Sequence, residues 1–139
     1  MSLPEPQTLL PLPEATLNIL LILGGGDCQS YGIVAELRTA PEWFEGYAGF
    51  DSRPADEQKR MVLDLYQCIN LMRIQGLIAE IDPRPIRTSW EELRERPEPD
   101  QRHRHWKITP YGRSVVQAEV RRLEQLVKVA RARGFAPEA

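Results

Sequence analysis

"RHRHWKITPYGR", residues Arg102–Arg113, holds the join on which the fold turns. Its first half alternates: in an extended strand Trp106 and Ile108 point one way, while His103, His105 and Lys107 point the other. Its second half starts a helix, because Thr109 is a good N-cap and Pro110 suits the first helical position, where no amide hydrogen is needed. One strand therefore feeds directly into a helix. Upstream, "LIAEID" (Leu77–Asp82) alternates as well and supplies the partner strand. The two make a small β-hairpin with a long connection between them.

Moving towards the N-terminus, "QKRMVLDLYQCINLMRIQG" (Gln58–Gly76) predicts a third helix closed by its glycine. At 3.6 residues per turn Val62, Leu65, Ile69 and Met72 form a core stripe, and Arg60, Leu63, Gln67, Asn70, Leu71 and Ile74 turn outward. "SYGIVAELRT" (Ser30–Thr39) is a short second helix with Ile33, Val34 and Leu37 inward. "ATLNILLIL" is a buried first helix beginning near Pro13, and the glycines of "GGGDCQS" stop it, with Gln29 or Ser30 placed to cap the next. Before it, "SLPEPQTLLPLPE" carries four prolines and reads as an extended arm whose Leu9, Leu10 and Leu12 need something to pack on. After Thr109 a helix runs from about Tyr111 to Arg133. Its residues Val116, Val120, Leu123, Val127 and Ala130 step by four, three, four and three, the spacing of a coiled-coil seam, and predict dimerisation.

The 139 residues bound one domain of ordinary composition, 42% hydrophobic and 27% charged. The net charge of −2 hides an asymmetry. Residues 1–58 hold nine acids against Arg38 and Arg53, whereas residues 59–139 hold sixteen bases against eleven acids. That split fits a basic binding face in the second part, and equally an attraction between the two parts. Cys28 and Cys68 have no metal-ligand spacing and read as free thiols of a reducing compartment. The chain has no apolar run of membrane length and no basic leader, so a cytoplasmic protein is expected.

The order helix, helix, helix, strand, strand, long helix is that of a winged helix-turn-helix. The fold expected is thus mainly α with a small β-hairpin: a proline-rich arm (1–12), a winged-helix domain (13–110) and a C-terminal dimerisation helix (111–135). Two inserts interrupt the domain, an acidic, aromatic stretch at 40–58 and a long wing at 83–101.

Within this order the chain resembles the PadR-like transcriptional regulators. The resemblance rests on "ILLIL…SYGIVAEL", on "LYQCINLMRIQGLIAEIDPRP" and on "RHRHWKITPYGRSVVQAEVRRLEQL", and covers nearly everything outside the arm and the inserts. It implies a homodimer with interlocked C-terminal helices and two winged heads on a palindromic operator. It also implies a repressor that leaves DNA when a small aromatic or lipophilic ligand binds. The third helix would enter the major groove and the wing would lie against the backbone. Three features depart from the family pattern: "QSY" stands where "HGY" is usual, the stretch before the third helix is long, and that helix is only partly polar outward.

The residues expected on double-stranded DNA are Lys59 and Arg60 for phosphates, Gln67 and Asn70 for adenine edges, and Arg102 and Arg104 in the wing. Leu63, Leu71 and Ile74 do not suit a wet interface, which leaves a second function open: a protein-interaction or effector-sensing module with masked DNA binding. Trp43, Phe44, Tyr47 and Phe50 either line a pocket for a hydrophobic effector or form a satellite core. His103 and His105 lack the further ligands of a metal shell. No nucleotide, hydrolase or metalloprotease motif is present, so neither an enzyme nor a cofactor is expected.

Overall fold

The computed structural model describes residues 3–39, 49–81 and 104–135. The elements are α1 (Glu14–Gly24), β1 (Cys28–Gln29), α2 (Ser30–Thr39), α3 (Ala55–Ile74), β2 (Ile78–Glu80), β3 (His105–Ile108) and α4 (Pro110–Ala132). The protein is mainly helical, with a small antiparallel sheet and a long C-terminal helix. The sheet is larger than the expected hairpin. β1 joins it, giving the order β1–β3–β2, so β3 is paired on both edges. Cys28 lies opposite Trp106 on one side, and Glu80 lies opposite the same Trp106 on the other.

The core forms where the three short helices close over this sheet. Ile19, Leu20 and Leu23 of α1, Ile33 and Leu37 of α2, and Leu65, Ile69 and Met72 of α3 are buried around Trp106, with Val115 of α4 completing the cluster. Trp106 is fully enclosed, and its indole N–H donates to the buried Ser30 hydroxyl at 2.8 Å. A buried indole without an acceptor would cost about 1–3 kcal/mol, so this bond fixes where α2 begins relative to β3.

Two junctions turn the chain as the sequence anticipates. At the end of α3 Gly76 adopts φ +82°, and the amides of Gly76 and Leu77 bond back to Arg73 and Met72, a Schellman closure that satisfies the last turn. At the start of α4 the Thr109 hydroxyl accepts from the Gly112 amide at 2.9 Å and donates to the Gly76 carbonyl at 2.6 Å. One side chain thus caps α4 and ties it to the end of α3.

Two expectations are corrected. The N-terminal arm is not simply extended: Pro6–Leu9 forms a 3-10 turn, and Leu9, Leu10 and Leu12 pack on the chain's own core instead of on a second copy. The Tyr111 hydroxyl donates to the Pro4 carbonyl, and the Leu12 amide donates to the Glu119 carboxylate at 2.7 Å. The third helix starts at Ala55, behind Pro54, so the end of the 40–58 insert belongs to it. Lys59 and Arg60 therefore sit in its second turn, and the acids Asp56 and Glu57 occupy the first, where the helix dipole favours them.

Gly112 lies where α4 crosses the start of β2. A Cβ there would meet the Leu77 carbonyl oxygen at 2.1 Å, and backbone cannot step aside as a flexible side chain can. Gly112→Ala should cost about 1–3 kcal/mol, the range for overpacking, and lower the melting temperature visibly in a thermal scan by circular dichroism. A melt matching that of the parent chain would show that α4 does not approach β2 this closely.

Candidate functional site

Among the described residues, two apolar surfaces stay exposed after the core has closed. The first is the outer face of α3. Leu63, Leu71 and Ile74 are 50%, 55% and 70% exposed, Gln67, Lys59 and Arg60 are exposed, and Asn70 is half-buried. The helix carries three acids (Asp56, Glu57, Asp64) against three bases (Lys59, Arg60, Arg73), so its charge cancels. The second is the distal half of α4. Val116 packs on the core, but Val120, Leu123 and Val127 are exposed and Ala130 is half-buried. A groove of about 490 Å³ runs along this ridge, and the described residues lining it are Val120, Leu123, Glu124, Val127, Lys128 and Arg131 of α4. Leu126 and Val129 extend the exposed apolar surface.

The wing is differently arranged from what the sequence suggests. Arg104 does not stand out from the sheet; its guanidinium makes two hydrogen bonds to the Glu80 carboxylate across the ladder, at 2.9 and 2.6 Å, and lies 5.0 Å from the Trp106 ring centre. A phosphate could engage it only in competition with Glu80. Arg102 and His103 lie outside the described residues, as does the whole of the long connection at 83–101. Trp43, Phe44 and Tyr47 of the expected effector pocket also lie outside them. The fourth, Phe50, is buried in the core cluster, with the Arg38 guanidinium stacked 4.6 Å from its ring centre.

The positive excess of the second part lies largely on α4, which holds Arg113, Arg121, Arg122, Lys128 and Arg131 against Glu119 and Glu124. The ion pairs Arg38–Asp51, Arg53–Glu57, Arg104–Glu80 and Arg122–Glu119 each join residues of the same part of the chain. They give no support to an attraction between the acidic and basic parts.

Sequence reasoning missed Glu119, which is 1% exposed in the middle of α4. Arg122 hydrogen-bonds its carboxylate and holds the acid below its usual range, helped by the Leu12 amide. Arg104 does the same for Glu80. Burial raises the thiols of Cys28 and Cys68 above their ordinary value, which makes both poor nucleophiles near neutral pH. Among the described residues no group of three His, Cys, Asp or Glu side chains could hold a metal ion, and no helix is long and apolar enough to cross a membrane.

Comparison of the chain with protein-family models, with curated proteins and with solved structures finds no match in any of the three.

Because the Glu80 and Glu119 carboxyls titrate lower folded than unfolded, they contribute stability above their unfolded value of 4.5 and lose it as pH falls through the folded ones. Melting temperature should therefore drop as pH is lowered beneath about 4.5. Glu119→Ala leaves the Leu12 amide and Arg122 without their acceptor. It should cost about 1–3 kcal/mol at neutral pH and flatten the acid side of the curve. An unaltered acid limb in that variant would mean that Glu119 does not hold the arm.

Proposed function

We propose that the chain is a DNA-binding transcriptional regulator of the winged helix-turn-helix, PadR-like kind, acting as a homodimer. The observation that carries this reading is the order α1–β1–α2–α3–β2–β3 with β3 central. That order supports a winged-helix reading, in which β1 would complete the small sheet behind the wing, and the outer face of α3 is exposed among the described residues, as a reading helix requires. The distal ridge of α4 supports a dimer, because an apolar seam of coiled-coil spacing on an otherwise polar helix is left exposed by the described residues.

On this reading the protein represses transcription and a small aromatic or lipophilic effector releases it. A groove of about 270 Å³ between α1 and α4 suits such a ligand, with Leu20, Leu21, Ile108 and Val116 as apolar walls and Arg113 and Gln117 as polar groups. A ligand there would press on the joint between the reading module and the dimer helix.

A second reading draws on the neutral charge and apolar residues of α3 and on the engagement of Arg104 with Glu80. It makes the same fold a protein-interaction or effector-sensing module, in which the acidic, aromatic segment 40–48 competes for α3. Replacing that segment with a glycine–serine stretch of equal length separates the two. DNA binding gained only on replacement supports masking.

The primary reading is tested by titrating duplexes recovered from a genomic fragment library. Gln67→Ala and Asn70→Ala should each weaken specific binding by about 1–3 kcal/mol, as loss of a bidentate amide–adenine contact does. The salt dependence should be shallow. Each phosphate neutralised adds a log–log slope of about −0.9, and α3 offers only Lys59 and Arg60 near its start. Recovery of no duplex above background removes the regulator reading.

A further inference from the structure

Opposite its buried stripe, α3 presents one straight line of side chains, Leu63, Gln67, Asn70 and Ile74, at the helical spacing of four, three and four. Leu63 is 50% and Ile74 70% exposed, and the two amides lie between them. Leu71 stands beside this line, about 60° around the helix. The line runs about 17 Å at the usual rise per residue, which matches the three or four side chains a reading helix lays along base edges.

Resting on the regulator reading, the chemistry of this line restricts what can lie against it. A base edge in the major groove presents hydrogen-bonding groups and a single kind of apolar group, the thymine 5-methyl. Guanine and cytosine offer Leu63 and Ile74 no methyl group, only ring C–H edges beside polar atoms that would lose water without a partner. Gln67 and Asn70 carry a donor and an acceptor on one planar amide, the pattern that matches adenine N7 and N6. Arg60 continues the line one turn before Leu63, near the helix start where it suits a phosphate, and Arg73 lies on the flank, so no arginine, the usual reader of guanine, stands between the two apolar ends. Both the apolar ends and the amide centre therefore ask for the same base pair.

We infer that α3 reads A·T base pairs, with Gln67 and Asn70 on adenine edges and a thymine methyl group against one of the two apolar ends, Leu63 or Ile74. The operator half-site is accordingly A·T-rich at the positions under α3. Its recognition depends on a methyl group as well as on hydrogen bonds.

The test uses the intact chain and random-sequence duplexes. Duplexes retained by the protein are sequenced, and the best is resynthesised with deoxyuridine in place of thymidine, which removes only the 5-methyl. Expected are A·T-rich half-sites and a dissociation constant raised about fourfold for each contacted methyl lost, the factor for burying one such group. Of Leu63→Ser and Ile74→Ser, both at exposed positions, one should shrink the thymidine-to-deoxyuridine ratio towards one, and no change in either overturns the methyl contact. Half-sites rich in G·C, or equal binding of the two duplexes, overturn the A·T inference and leave DNA binding standing. Retention of no duplex at all overturns both, and points to a protein partner for this face.

Discussion

The indole of Trp106 is enclosed where β3 bonds to a strand on either side, and its one polar atom is satisfied by Ser30 at the head of α2. That arrangement sets the positions of the remaining elements. β1 is held by pairing with β3, and the Ser30 amide bonds to the Arg104 carbonyl just before the strand. β2 pairs on the opposite edge, and the Arg104–Glu80 contact clasps it from above. Immediately after the strand, Thr109 caps α4 and binds the turn that ends α3. The six residues from Arg104 to Thr109 thus determine how α2, α3 and α4 sit against one another, and so which face of α3 is left open.

The long helix divides at Glu119. Before it, Gly112, Val115 and Ala118 are buried in the chain's own core. Beyond it, Val120, Leu123, Leu126 and Val127 are exposed, with relative accessibilities of 36–53%. Covering half of such a side chain is worth about 1 kcal/mol, so four from each of two copies would contribute on the order of 8 kcal/mol. The loss of translational and rotational freedom on association costs about 4–15 kcal/mol. The ridge alone therefore leaves little surplus, and the dimer is expected to depend on concentration. Glu119 meanwhile anchors the N-terminal arm beside the ridge, so the arm braces the helix at the point where its own core support ends.

Much of the architecture was legible in the sequence. The α2 and α3 core stripes, the glycine that ends α3 and the threonine–proline start of α4 all followed from local chemistry, whereas α1, read as buried, leaves Leu21 43% exposed. What escaped needed partners distant in the chain. β1 is two residues long, too short to alternate, and exists because β3 offers it an edge. Arg104 read as a solvent-facing cation until the register placed Glu80 across from Trp106. A glutamate on an amphipathic helix ordinarily faces water, and nothing near Glu119 in sequence announces an amide 107 residues away. The early start of α3 is a different kind of miss. Pro54 followed by Asp56 and Glu57 is a helix-start signal, and it was obscured by the aromatic stretch in front of it. On the candidate site, Arg60, Leu63, Gln67, Leu71 and Ile74 of α3 are exposed as expected and Asn70 is half-buried, while Phe50 belongs to the core cluster and Lys59 and Arg60 lie a turn further in than expected.

Everything functional in this account requires that the distal α4 ridge be covered by a second copy. Sedimentation equilibrium of the intact chain across a range of protein concentrations, alongside Leu123→Asp, measures this directly. The account predicts that the parent chain moves from one to two copies as concentration rises through the micromolar range, and that the variant stays at one. A parent chain that remains a monomer throughout, or a variant that associates equally well, would contradict it.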